Sequence, residues 1–437
     1  MGRLLTPVPR LPVLRARARL GSPQRNCLRA AAVVLTGLAC HTAMATDWEL
    51  DLDGRLLSVD APAPFIAGGF GSLRFGGDES GLRIGRVRLA VTQPLGNLWS
   101  VHLDASSWGD HDKIPAGLTE AWLQFRPYPF EGPLGGYRLR IKAGAFYSPI
   151  SLENRTSAWE SPYTLSYSAI NSWLGEEVRT IGTEAQLDWL GTRSGHTVDI
   201  GLTAGLFGWN DGAGTALAYG GFTLTDRQTV LWGRAGAPGT QLLHMAEPFR
   251  EQSGNAGAYG GVEVRYLDRL VLRFLRYDND ASPGTPDPVT HEQPWNTEFN
   301  SAGLRAESGN GWTVIAQYLN GGTHISPDGE DQRWPFRASF ALLSKRFGPH
   351  TLSVRYDRFE VEGPSDEEDE GSEVWQKGHA LTLAYIFQPG PQWRITLEWL
   401  HVTGTSYSLE EYADGPPLVR QTQLQLAVRY AIGPASQ

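Results

Sequence analysis

The chain has 437 residues, 38 of them basic and 47 acidic, giving a net charge of −9, and it has only two cysteines. The acidic balance argues against nucleic acid as a partner. Both cysteines fall within the first 45 residues, so disulfides cannot hold the remainder together, and no apolar run reaches the ~20 residues of a bilayer-spanning helix.

Residues 1–45 read as a secretory leader. Met1–Arg29 carries seven arginines and no acid, Ala30–Cys40 is a short apolar core, and Ala43-Met44-Ala45 supplies a small-x-small cleavage pattern. A lipoprotein signal acylated at Cys40 fits less well, because Gly37 stands where a large aliphatic residue is expected. Removing the leader leaves 31 basic and 47 acidic residues, a net charge of −16 and no cysteine. Residues 46–64 alternate too, and are read as a periplasmic N-terminal segment.

From residue 65 to residue 432, segments of about ten residues alternate apolar with polar or small side chains. Val87, Leu89 and Val91 alternate with Arg86, Arg88 and Ala90. Trp393, Ile395, Leu397 and Trp399 alternate with Arg394, Thr396 and Glu398. Sixteen strands are expected, near 65–75, 81–91, 98–108, 117–127, 137–146, 179–190, 196–207, 257–267, 269–278, 297–308, 311–322, 335–347, 350–361, 378–388, 392–403 and 419–432. Their connections are alternately short and long. A hairpin hidden between residues 209 and 257 would raise the count to eighteen, and residues 433–437 form a tail.

This pattern predicts an all-β fold: an antiparallel, up-and-down transmembrane β-barrel with short periplasmic turns and long extracellular loops. Trp99, Tyr137, Trp189, Tyr266, Trp312, Trp393, Trp399 and Tyr430 suit interfacial girdles. A soluble two-sheet sandwich would not explain loops that are long at one end only. The expected location is the outer membrane of a Gram-negative bacterium, among lipid, lipopolysaccharide and the barrel-assembly machinery.

The polar face of each strand then lines the lumen. Arg138, Arg140 and Lys142 form a row of cations, with Arg86 and Arg88 on a strand nearby. A basic residue facing lipid at mid-depth costs about 2–4 kcal/mol, so these belong inside, where stacked cations suit stepwise passage of anions. Asp104, Glu120, Glu184 and Asp188 share the inner face. A mixed, paired wall with a mild preference is the plainer reading of the same residues.

Residues 147–179 lose the period after Pro149 and are expected either to fold inward as a constriction or to cap the barrel. Glu362–Glu373 reads as a solvated acidic loop, with divalent binding between lipopolysaccharide molecules as the alternative. Asp110-His111-Asp112 reads as solvated rather than as half of an acid–base or metal site. No cofactor loop, metal-spaced histidine pair or nucleophile motif is found, and no enzyme is expected. The alternatives kept open are a non-conducting barrel for adhesion or binding and a barrel-scaffold enzyme using His111.

Leu82–Ser106 and Ile141–Ser157, with Gly144, Phe146, Pro149, Leu152 and Glu153 in a Gly-x-Phe-x-x-Pro-x-x-Leu-Glu run, resemble the phosphate-selective porin family of Gram-negative outer membranes. The resemblance implies a sixteen-stranded homotrimeric porin whose channel favours small anionic solutes.

Overall fold

The computed structural model describes residues 46–110, 116–236, 247–286, 293–363, 374–406 and 418–434. The leader, His111, Asp112, most of the acidic loop and the last three residues lie outside the described residues.

Period-two sequences settle as strands with one face toward lipid and one toward the interior. In chain order these are β1 (Asp47–Asp60), β2 (Gly81–Leu95), β3 (Trp99–Trp108), β4 (Ala116–Phe125), β5 (Phe130–Gly132), β6 (Gly135–Phe146), β7 (Thr180–Leu190), β8 (Val198–Gly208), β9 (Gly257–Tyr266) and β10 (Leu270–Asp278). They continue with β11 (Asn296–Glu307), β12 (Trp312–Ile325), β13 (Gln332–Phe347), β14 (His350–Glu362), β15 (Val374–Gly390), β16 (Trp393–Ser406) and β17 (Leu418–Ile432). Each pairs antiparallel with its neighbours, and β1 closes the ring by pairing with both β2 and β17. The stub β5 pairs only with β6, on the edge that β4 also occupies. The wall is therefore a closed sixteen-stranded transmembrane barrel.

The count of sixteen holds, but the first strand is not where the sequence suggested. Residues 47–60 form β1, in the wall rather than outside it. Leu52 and Leu56 face outward, while Asp51, Asp53 and Arg55 are buried inside against Arg88 and Asp226. Residues 65–75 form no strand. The stretch from Pro62 to Gly77 holds two prolines and five glycines, a composition that weakens a ladder. It folds into the lumen, where Leu73 and Phe75 are fully buried. Nor do the described residues between 209 and 256 add a hairpin. They turn inward through a short helix, α2 (Thr215–Gly220).

The connection from β6 to β7 also enters the barrel. It carries the helix α1 (Ala169–Glu177), which Ser168 caps through its side chain to the Asn171 N–H, and every residue of the helix is buried. Tyr147, Ile150, Leu152, Trp173 and Leu174 pack with Phe222 and Leu224 of the β8–β9 connection, and with Phe299, Phe336, Phe340 and Phe359 of the wall. Thus the lumen contains a hydrophobic core of its own. Outside, Leu343, Leu352, Val354, Leu383, Leu397 and Leu424 remain exposed as a lipid-facing band. Trp99, Tyr266, Trp312 and Trp393 stand at the short-turn ends of their strands, also exposed. This is the girdle at that interface.

Candidate functional site

The row on β6 keeps its inward direction, and pairing supplies its partners. Across the β6–β7 ladder Arg138 faces Asp188, Arg140 faces Gln186 and Lys142 faces Glu184. Asp188 is the hub. It accepts from Arg138 at 3.0 Å, from Arg140 at 3.5 Å, from the Gln186 amide at 3.0 Å and from Arg265 of β9 at 2.9 Å. Lys142 makes no carboxylate contact of this kind among the described residues. Its ammonium lies 4.7 Å from the Phe146 ring centre and 5.3 Å from that of Trp122. Gly144 ends the row at φ +130°, and a Cβ there would lie 2.2 Å from the Ala121 carbonyl oxygen. Only glycine permits β6 to approach β4 so closely.

Of these side chains Arg140, Lys142, Glu184, Gln186 and Arg265 border a cavity of about 380 Å³. Its lining includes Arg140, Lys142, Arg155, Arg265, Arg273 and Arg305 against Glu184 and Glu263. Six cations thus face two carboxylates. Glu263 is held by Arg265 at 2.9 Å and by Arg273 at 2.8 Å. Glu184 accepts the Tyr259 hydroxyl at 2.8 Å. Arg273 also donates to the carbonyls of Pro149 and Ser151, both at 2.9 Å, tying the wall to the β6–β7 insert. Arg155, Arg273 and Arg305 escaped the sequence reading. Alternation within β10 and β11 would have put Arg273 and Arg305 inside, but Arg155 sits in an aperiodic insert with no such signal.

On the long-loop side of this vestibule, Tyr147, Phe207, Tyr259, Tyr277 and Phe299 are buried. Phe207 stacks on Tyr277 at 5.0 Å, Tyr277 on Phe299 at 4.7 Å, and Phe299 meets Trp173 edge-on at 5.3 Å. The vestibule therefore ends beneath an aromatic layer that joins wall and inserts.

Arg86 and Arg88 are also on the inner face, but they belong to a different group. Arg88 bonds Asp104 at 2.7 Å, Glu49 at 2.6 Å and Asp51 at 2.9 Å, and Arg86 pairs with Glu160 of the insert. Both are almost wholly covered. Burial alone would raise the Glu160 carboxyl, but Arg429 and Arg86 outweigh it and hold it at about 2. Glu120 accepts the Tyr147 N–H at 3.2 Å and so anchors the start of the insert. The five cations thus divide into a covered group on β2 and a vestibule group on β6.

Asp110 is not solvated. Its side chain is fully buried, 3.3 Å from Arg74 and 3.4 Å from Arg227. It belongs to a chain of alternating charges, Asp53–Arg55–Asp226–Arg74–Asp110–Arg227, that fastens three inward segments to β1. Such a chain repays desolvation only when every charge is paired. Among the described residues, no group of three or more His, Cys, Asp or Glu is placed to hold a metal ion.

No family model and no curated protein matches the sequence. Solved structures do. The loop L8 deletion mutant of OmpT, an outer membrane protein of Vibrio cholerae, is 9% identical, with a TM-score of 0.52 over 89% of this chain and 99% of that one. The trimer form of the same protein scores 0.50 at 9% identity over 89% and 99%. The outer membrane channel DcaP of Acinetobacter baumannii scores 0.52 at 10% identity over 89% and 97%. At such identities the likeness is one of fold, and the fold is that of outer-membrane barrels.

Proposed function

We propose that the chain is an outer-membrane porin that admits small hydrophilic solutes and favours anions, phosphate-like ones included. The observation that carries this reading is the vestibule lining, six basic side chains against two acidic ones in about 380 Å³. An anion entering it exchanges its hydration for guanidinium donors, each partly occupied by Asp188, Glu263 or Glu307, so that binding is shared and release stays easy. Arg138, Arg140 and Lys142 form the approach to this site, and Asp188 sets how much of their charge is free. Arg86 acts at second hand, by seating the insert through Glu160, and Arg88 by tying β2 to β1 and β3. Assembly as a homotrimer and export by the leader belong to the same proposal.

A second reading draws on a specific observation. Inner-face residues of β13–β17, from Phe336 and Arg355 to Thr382, Glu398 and Gln423, are buried under the inserts. Taken as permanent, that filling makes the barrel a non-conducting one that binds a solute without passing it. In the porin reading the path runs either through a yielding aromatic layer or beside a stationary insert.

Planar-bilayer recording under a KCl gradient decides. Stepwise conductance with a reversal potential on the anion side supports the porin. A reversal potential on the cation side rejects the preference and leaves the porin. Silence from folded protein rejects the porin in favour of the binding barrel.

A further inference from the structure

The outer surface carries a cationic patch that neither the lumen nor the band of apolar side chains accounts for. Arg337 on β13, Arg358 on β14 and Lys377 on β15 all point away from the interior, their sequence neighbours Phe336, Phe359 and Gln376 being buried inside. Arg337 bonds Glu360 at 2.8 Å, and the Lys377 ammonium lies 3.4 Å from the same carboxylate. Arg358 is exposed and makes no ion pair among the described residues. Tyr318, Ser339, Arg337, Arg358 and Glu360 enclose a shallow pocket of about 400 Å³.

Its height follows from strand geometry. Arg337 stands eight residues from Lys345, Arg358 eight from His350 and Lys377 eight from Tyr385. The second residue of each pair is at the short-turn girdle, where Lys345 lies 5.0 Å from the Trp312 ring and His350 stacks on Tyr385. Eight residues at ~3.3 Å, tilted by ~40°, rise roughly 20 Å, close to the ~25 Å of a barrel's apolar band. Leu343, Val354 and Leu383 fill the interval. The patch therefore lies at the interface on the long-loop side. The corresponding ends of β2 and β8 present Leu82, Ile84 and Leu206 instead.

Three cations face two carboxylates, Glu360 and Glu362, the latter 3.7 Å from Arg337, and at the edge of the hydrocarbon a membrane phosphate supplies the remaining counter-charge. Guanidinium forks match phosphate oxygens in paired geometry, and long basic side chains reach headgroup level with their stems along the apolar band. We propose that the outward face of β13–β15 is a docking site for a phosphorylated glycolipid of the outer leaflet, its phosphate held by Arg337, Arg358 and Lys377 and its acyl chains lying on the band below. This rests on the placement of the barrel in the outer membrane, not on conduction.

The test is native mass spectrometry of the protein folded in detergent micelles and titrated with bisphosphorylated lipid A. Dephosphorylated lipid A and inorganic phosphate serve as comparison probes. Wild type should retain the bisphosphorylated lipid, with apparent affinity at least tenfold weaker in Arg337→Gln/Arg358→Gln and unchanged in Arg276→Gln, another outward-facing cation, which already pairs with Glu298. All three substituted positions face outward, and heat-modifiable gel migration checks that each variant is folded. Equal retention by the double variant, or equal retention of the dephosphorylated lipid, overturns the proposal. Displacement of the lipid by an equal concentration of inorganic phosphate also overturns it, since the occupant would then be free anion. Conductance of the wild type separates this from the channel reading: no lipid binding with conductance present rejects the docking site alone, and lipid binding without conductance rejects the channel alone.

Discussion

The Arg179 guanidinium lies face-on to the Tyr147 ring, 3.8 Å from its centre. Both residues are buried, one at each end of the β6–β7 insert. Arg179 also donates to the carbonyls of Thr119 on β4, Gly175 on α1 and Thr229 in the β8–β9 connection. One cation thus joins the wall to both large inserts without a direct salt bridge among the described residues. Burial lowers the affinity of the guanidinium for its proton, and the adjoining Tyr147 together with Glu120 and Asp104 restores part of it. Replacing Arg179 by Met keeps the length and removes the donors. Each carbonyl left unpaired costs ~1–3 kcal/mol, so Arg179→Met should destabilise the insert by about 3 kcal/mol or more. Limited proteolysis within residues 147–179 of the folded barrel should speed up accordingly, while cleavage elsewhere does not.

Asp188 tempers the vestibule. It holds Arg138, Arg140 and Arg265 at once, with no solvent access to its own side chain. Asp188→Asn should release positive field into the cavity and move the reversal potential toward anions, changing the anion-to-cation permeability ratio on the order of twofold. Arg140→Gln with Lys142→Gln should move it the other way. Equal reversal potentials in all three proteins would mean that selection is made elsewhere.

How far the sequence discloses this arrangement depends on what each segment faces. β6 was readable because lipid on one side and vestibule on the other impose opposite demands at alternate positions, and the same held for β2, β3, β7, β16 and β17. β1 alternates just as cleanly, yet residues 65–75 competed for its place. Only the pairing of Leu52 with both Val87 and Tyr430 decides between them. The inserts have no period because both their sides meet protein. Their partners are remote in sequence: Arg355 bonds Glu153 at 2.8 Å across 202 residues, and Arg55 reaches Asp226 across 171. Charges on a strand are legible as facing inward. Which of them are free and which are neutralised is a property of the closed barrel.

The plug carries its own pH dependence. Burial raises the Glu177 carboxyl. The N–H of Ala216, the Trp173 indole and the N–H of Leu217 offset this only in part, leaving it at about 7. Its neighbour Glu176 is raised well above the usual range by burial, against the hydroxyls of Thr225 and Thr223. Neither forms a salt bridge among the described residues. A carboxyl with a raised folded-state pKa contributes its stability below the unfolded value, near 4.5, and loses it as the pH climbs through 7. The span corresponds to about 3 kcal/mol. Protection of the α1 amides against hydrogen exchange, corrected for the intrinsic rate, should therefore fall between pH 5 and pH 8. In Glu177→Gln that fall should be roughly halved, the remainder being due to Glu176, itself raised well above the usual range. An unchanged slope in the variant would assign the pH dependence to other groups.

Whether solutes move through a yielding insert or around a fixed one is open to a covalent test. A Cβ built on Gly117 of β4 lies 2.9 Å from the Val230 Cβ of the β8–β9 connection. Disulfides span ~3.5–4.5 Å between Cβ atoms, so a shift of under about 1 Å admits a Gly117→Cys/Val230→Cys bridge. The backbones are already registered there, the Leu231 N–H donating to the Leu118 carbonyl at 2.7 Å. Both cysteines, Cys27 and Cys40, precede residue 46, so in protein produced from residue 46 onward no native thiol competes. Oxidised protein should be silent in a planar bilayer and regain stepwise conductance on reduction, because the aromatic layer above the vestibule could no longer part on that side. Equal conductance before and after reduction would place the path beside a stationary insert, and would make the packing of Tyr147, Tyr277 and Phe299 a permanent feature of the wall rather than a closure.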